Sequence, residues 1–238
     1  MNARLPQTPI DAEQAIGQIA VQLPGSTAIF RRLKLDFCCG GQVSLRQSCA
    51  AKGLDLQTVV DELSTLQRPT ELPDAGTPSE LIDHILARYH EVHRAQLPEL
   101  IRMARRVEAV HRDHSEVPAG LADALEAMEQ ELLSHMHKEE AVLFPMLRAG
   151  GNSFVTQPIA MMRHEHNDHG EALEQIARLT HDITPPLGAC NTWRALYAGL
   201  AQLRDDLINH IHLENNVLFP QFEQTATQGC GGGTCGCS

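Results

Sequence analysis

From about residue 79 onward, apolar positions recur at alternating intervals of three and four, the period of a helix that buries one stripe. Four such runs follow one another. The first, roughly 79–111, places Leu86, His90, His93, Leu97, Leu100, Ala104, Val107 and His111 on one face. The second, roughly 119–144, carries Leu121, Leu125, Met128, Leu132, His135, Glu139 and Val142. The third, roughly 157–180, carries Ile159, Met162, His166, His169, Leu173 and Ile176. The fourth, roughly 191–218, carries Leu196, Leu200, Leu203, Leu207, His210, Glu214 and Val217. Breaker-rich stretches at 114–118, 150–153 and 184–188 separate them. Four inward seams joined by short loops predict an all-α four-helix bundle.

The remaining chain has a different texture. Residues 1–68 hold short amphipathic stretches around Phe37-Cys38-Cys39-Gly40-Gly41, a small N-terminal helical domain. Residues 69–78, rich in helix breakers, read as a linker, and the bundle occupies 79–224. Residues 225–238 are a Gly- and Cys-rich tail without apolar period, expected to be flexible.

Each seam becomes polar partway along its length. Residues 135–145 and 210–220 share the pattern H-x-H-x-E-x-x-V-L-F-P. In both copies the first His and the Glu extend the leucine stripe, putting His135 with Glu139 and His210 with Glu214 at i and i+4. His137 is rotated about 200° from His135, and His212 is likewise off its seam. A pairing of His137 with Glu140 at i+3 is disfavoured because the second copy has Asn215 there. Periodicity does not choose between His90 and His93, nor between His166 and His169, while His84 and His164 face elsewhere.

Two buried glutamates and at least four buried histidines cannot sit in an apolar core without partners. A pair of metal ions resolves this, with glutamates bridging and imidazoles on each ion. The donor set suits iron or manganese, with zinc the commonest alternative. No thiol lies on the seams, which argues against a structural zinc knot. His-x-x-x-Glu, where ferritin-like bundles use Glu-x-x-His, points toward the hemerythrin type.

Composition narrows the function classes. The 238 residues are 42% hydrophobic and only 4% aromatic, as suits a helical protein with one good core and a smaller unit. A formal net charge of −11 argues against nucleic acid as a partner. No signal-like or bilayer-spanning run is present, so a cytoplasmic protein with no membrane partner is expected. Its seven cysteines are then reduced thiols. Cys49 and Cys190 are expected to pack as small apolar residues. For Cys38-Cys39, flanking Gly40-Gly41 allows an accessible thiol pair, and a buried pair filling a small core is the competing reading. Cys230, Cys235 and Cys237 suit either a soft-metal carrier or a dispensable tail.

The paired E-x-x-V-L-F-P ends, Arg88-Tyr89-His90 and Glu165-His166 resemble the hemerythrin-like domain of the Repair of Iron Centres family, of YtfE/ScdA type. Asp36-Phe37-Cys38-Cys39-Gly40-Gly41 is similar to that family's N-terminal ScdA-type signature, with Phe in place of the usual Tyr. The resemblance spans about residues 14–222. It implies a non-haem protein with two carboxylate-bridged Fe per chain that repairs iron–sulfur clusters damaged by nitrosative or oxidative stress, by donating iron. The ligands it implies are His90, His135, Glu139, His166, His210 and Glu214, both glutamates bridging, with His93 and His169 as extra or supporting groups. It favours a functional thiol site at Cys38 and Cys39. Damaged iron–sulfur proteins are the implied partners, and a homodimer is expected by analogy. Two alternatives stand beside it: a di-iron nitric oxide or peroxide reductase, which would make the protein an enzyme, and an oxygen or nitric oxide sensor. No catalytic residue is assigned, and no cofactor beyond the metal is expected.

Overall fold

The computed structural model describes residues 10–66, 76–152 and 154–223. Among the described residues there is no strand, only an isolated bridge between Ala15 and Ser44, as the all-α expectation requires. Two compact units emerge, one of residues 1–76 with 211–220 and one of 77–210 with 221–238.

The first unit contains four short helices: α1 (Ile16–Gln22), α2 (Ser26–Arg32), α3 (Leu45–Lys52) and α4 (Leu56–Ser64). The last two start at conventional caps, where the Ser44 side chain accepts from Gln47 N and Asp55 from Thr58 N. Ile16, Leu23, Phe30, Phe37, Leu45, Cys49 and Leu63 are buried and supply its core. Helix α1 also packs on the turn Glu214–Leu218 of this same unit.

The second unit is built from four long helical runs. α5 covers 78–110, α6 covers 121–148, α7 is Thr156–Leu179 and α8 covers 191–218. Residues 211–220, the end of α8 and the two residues after it, count with the first unit. α5 opens on a capping box, Thr77 with Glu80, and has Pro78 at its first turn, so the helix takes in the last residue of the expected linker. α6 packs on α5 and on α7. α8 approaches α5 closely at Gly199, whose carbonyl accepts from Gln96 Nε2 at 3.1 Å. A Cβ at that glycine would lie 2.6 Å from Leu100 Cδ2, so only glycine permits this approach without repacking.

Most seam residues are buried as the period predicts; Leu86, His111, Val142, Leu173 and Val217 are not, and one local feature accounts for Leu86, Val142 and Val217. α5, α6 and α8 each contain a π-turn: Leu86–His90, Glu139–Leu143 and Glu214–Leu218. The i→i+5 bonds run from Glu91 N to Leu86 O, from Phe144 N to Glu139 O and from Phe219 N to Glu214 O. A π-turn inserts one residue and moves the buried stripe along by one. Leu86 therefore gives way to Ile85 and Tyr89 in the core. Val142, expected on the seam, is 52% exposed while Leu143 is buried. Leu218 likewise replaces Val217 as the fully buried position. The expected tail at 225–238, with Cys230, Cys235 and Cys237, lies outside the described residues, as does most of the 69–78 linker.

Candidate metal centre

Each π-turn begins or ends on a polar seam residue: His90 closes one, and Glu139 and Glu214 open the other two. His135 and His210 lie one turn before the two glutamates on the same helices, and His166 comes from α7. All six side chains are essentially inaccessible to solvent. Their donor atoms fall into two groups, each with all members within 4.8 Å of one another: His90, Glu139, His210 and Glu214, then His135, Glu139, His166 and Glu214. Both glutamates belong to both groups.

The spacings within each group are those of neighbouring ligands on one ion. Nε2 of His90 and Nε2 of His210 are 3.2 Å apart, and Nε2 of His135 and Nε2 of His166 are also 3.2 Å apart. Two donors about 2.1 Å from an ion, subtending about 90–110°, are separated by about 3.0–3.4 Å. Glu139 divides its oxygens between the halves, with Oε2 3.4 Å from His90 Nε2 and Oε1 3.4 Å from His135 Nε2. That is the arrangement a bridging carboxylate needs, so the residues fit a two-ion site.

A second layer holds two of the imidazoles in one tautomer. His90 Nδ1 lies 2.7 Å from Glu140 Oε1, which also accepts from Arg94 at 2.6 Å. His135 Nδ1 lies 2.9 Å from Glu165 Oε2, whose other oxygen accepts from Lys138 Nζ at 2.6 Å. An ionised carboxylate only accepts, so each Nδ1 carries the proton and each Nε2 presents a lone pair inward. Burial pushes the Glu140 carboxyl up, but hydrogen bonds from His90 and Arg94 outweigh it and hold the group below the usual range. Tyr89 stacks on His210 with ring centroids 5.3 Å apart and planes 3° from parallel, and Phe144 stacks on His90.

Comparison with known proteins agrees with this geometry. The model of the hemerythrin HHE cation binding domain matches residues 81–222, and that of a domain of unknown function (DUF542, ScdA_N) matches residues 12–67. An iron–sulfur cluster repair protein YtfE from Cronobacter sakazakii is 49% identical over 211 residues, 88% of this chain and 96% of its own. The YtfE proteins of Dickeya chrysanthemi and Escherichia coli K12 are each 47% identical, with the same coverage. The chain belongs to the YtfE family of hemerythrin-domain proteins. The resemblance read from the paired motifs is borne out.

Within this YtfE-family chain the other sequence candidates separate clearly. His93 and His169 are buried beside the two groups without joining them; their rings lie 5.5 Å from His210 and 4.9 Å from His135 respectively. His84, His137 and His164 are exposed. His111 is not among the six, and its Nε2 lies 3.2 Å from Cys190 Sγ. Cys190 is therefore half-buried in a polar contact rather than packed as an apolar residue, whereas Cys49 is buried as expected. Glu140, Arg94, Glu165 and Lys138 were not foreseen as supports. Each acidic partner points off its own helix seam to serve a histidine on a neighbouring helix, which periodicity within one helix does not reveal.

Cys38 and Cys39 are half-buried thiols not joined in a disulfide, with sulfurs 3.6 Å apart. Asp36 organises their turn by accepting from Cys39 N and Gly40 N, each at 2.9 Å. Its carboxylate and the two sulfurs form a third group spaced to hold a metal ion. The Cys38 thiol is pushed well above its ordinary range by the hydrogen bond with Cys39, by burial, and by the charges of Cys39 and Asp36. His212, off its seam as expected, is nonetheless buried, and that burial lowers its pKa to about 4.

Proposed function

We propose that this chain is a non-haem di-iron protein that repairs damaged iron–sulfur clusters by giving up iron. The observation that carries the reading is the pair of buried four-residue groups that share Glu139 and Glu214. His90 and His210 would hold one ion, His135 and His166 the other, with the two glutamates across both. A carboxylate-bridged iron pair, when bound, supplies ferrous ions as the cargo of repair. The chain's own residues hold the protons on His90 and His135 Nδ1, keep solvent from the site through Tyr89 and Phe144, and leave each ion four protein donors. Four is short of an octahedral set, and an incompletely held ion suits release better than permanent storage.

The names of the relatives support repair over the reductase and sensor readings, since each is called an iron–sulfur cluster repair protein. We place the work in the cytoplasm, where thiols such as Cys38 and Cys39 stay reduced. Damaged iron–sulfur proteins are the proposed partners, with nitrosative or oxidative stress as the source of damage and a homodimer as the proposed assembly. The ScdA-type unit would contribute Cys38 and Cys39 as an accessory thiol site.

Iron transfer tests this directly. The chain, loaded anaerobically with labelled ferrous iron, is mixed with a dehydratase whose cluster has been dismantled by nitric oxide, sulfide and reductant being supplied. Label should leave the chain and appear in the restored cluster, and Glu139→Ala/Glu214→Ala should transfer none. Catalytic consumption of nitric oxide with all the iron retained would replace the donor reading with the reductase one.

A further inference from the structure

The two repeats part company just after their shared glutamate. The first continues Glu140-Ala141 and the second Asn215-Asn216. In the first copy the flank is open, with His137, Ala141 and Val142 exposed. In the second copy the matching flank is covered. His212 lies edge-on to Phe37 with ring centroids 5.1 Å apart. Asn215 Nδ2 donates to the carbonyl of Cys38 at 3.1 Å. Asn216 Nδ2 lies 3.2 Å from the Phe37 carbonyl and 3.3 Å from that of Cys38, sharing its two protons with His212 as well.

The fit is two-sided. A Cβ on Gly17 would fall 2.3 Å from Asn216 Oδ1, and one on Gly41 would fall 2.5 Å from it. Two glycines thus clear space for one amide, and Gly17 N donates to Gly41 O at 2.8 Å to close the pocket. The asparagine pair therefore grips the backbone of the cysteine turn from the residues that directly follow Glu214.

We propose that Asn215 and Asn216 are positioning residues that couple the Cys38–Cys39 turn to the carboxylate of Glu214, so that metal loading sets the reactivity of the thiol pair. The inference rests on the two-ion reading above. Glu214 opens a π-turn, a place where a helix shifts pitch at low cost, and the two asparagines are its second and third residues. Drawing Glu214 onto bound ions fixes that turn, and the carbonyls of Phe37 and Cys38 are fixed with it. Metal-free, the turn and the thiols it holds are looser and react faster. By linkage, a ligand whose affinity for the cysteine turn changes on metal loading changes the affinity for metal by that same factor.

The test uses the full chain, metal-free and loaded anaerobically with ferrous iron, and follows alkylation of Cys38 and Cys39 by N-ethylmaleimide with peptide-level mass spectrometry. Iron should slow alkylation about fivefold or more in the unaltered protein. In Asn215→Ala and Asn216→Ala the loaded and metal-free rates should converge, with iron content unchanged. Asn215→Ala leaves the Asn216 amide in place between Gly17 and Gly41, so it remains informative if the more tightly packed Asn216→Ala fails to fold. The coupling is overturned by equal rates in the unaltered protein, by an iron effect that survives in both variants, or by loss of iron from both. It is also overturned if Glu139→Ala/Glu214→Ala still shows the effect, since iron would then be binding the thiols themselves. Absence of iron from the unaltered chain, measured in the same samples, would instead sink the two-ion reading on which the coupling depends.

Discussion

Glu140 and Glu165 hold equivalent stations in the two halves of the site, each between an inward-turned histidine and a basic side chain. A carboxylate so placed orients an imidazole and raises its basicity, and beside a metal-ligating histidine it contributes about 10–100-fold in metal affinity. Glu140→Gln and Glu165→Gln should each weaken iron by that amount in competition with a chromophoric chelator, with helical content unchanged. Unaltered affinity in both would show that the carboxylates serve only the surface. Legibility at this scale followed repetition. His135, Glu139, His210 and Glu214 stood out because two copies put the same pair on two seams. His90 and His93 share one seam, and His166 and His169 another, so no period within a single helix could choose between them. Of these four, His90 and His166 have donor atoms within the two closely spaced groups.

At the scale of the element, the four long helices and the loops between them were legible from period and breakers, and the observed limits differ from the expected ones by a few residues at most. The π-turns were not legible, because a single inserted residue leaves the composition of a seam unchanged and displaces only the positions beyond it. Their presence makes a sharp contrast between neighbours. Val142→Lys should change stability by less than about 0.5 kcal/mol, as an exposed substitution does. Leu143→Ala should cost about 2–5 kcal/mol, as a buried truncation does. Denaturant midpoints at constant slope would decide this, and the reverse order would restore an unbroken α-helical register. The close approach of α8 to α5 gives a second contrast. Gly199→Ala must displace the Leu100 side chain and should destabilise the bundle by about 1–3 kcal/mol, although alanine is the better helix former. A rise in stability would mean that the two helices have room to separate.

For the whole molecule, a change of texture near residue 68, from a cysteine-bearing stretch to a histidine-rich one, was readable in the sequence. The allotment of residues 211–220 to the first unit was not, since the second repeat looks like the first until its asparagines are seen against Phe37, Cys38 and the two glycines. The buried glutamates also set the energetics of the whole. Without metal they are buried acidic groups that an apolar residue of similar size replaces at little or no cost. Glu139→Leu/Glu214→Leu should therefore melt at or above the temperature of the unaltered apoprotein. Iron at 100 times its dissociation constant should stabilise the unaltered chain by about 2.7 kcal/mol and leave that variant unmoved. A variant much less stable than the apoprotein would assign the carboxylates a structural role.

The most direct test of the account is the metal content per chain of anaerobically purified protein, by elemental analysis, beside Glu139→Ala/Glu214→Ala. About two irons are expected in the unaltered chain and none in the variant, because both four-residue groups need both glutamates. Zinc alone, no metal in either sample, or two irons retained by the variant would contradict it.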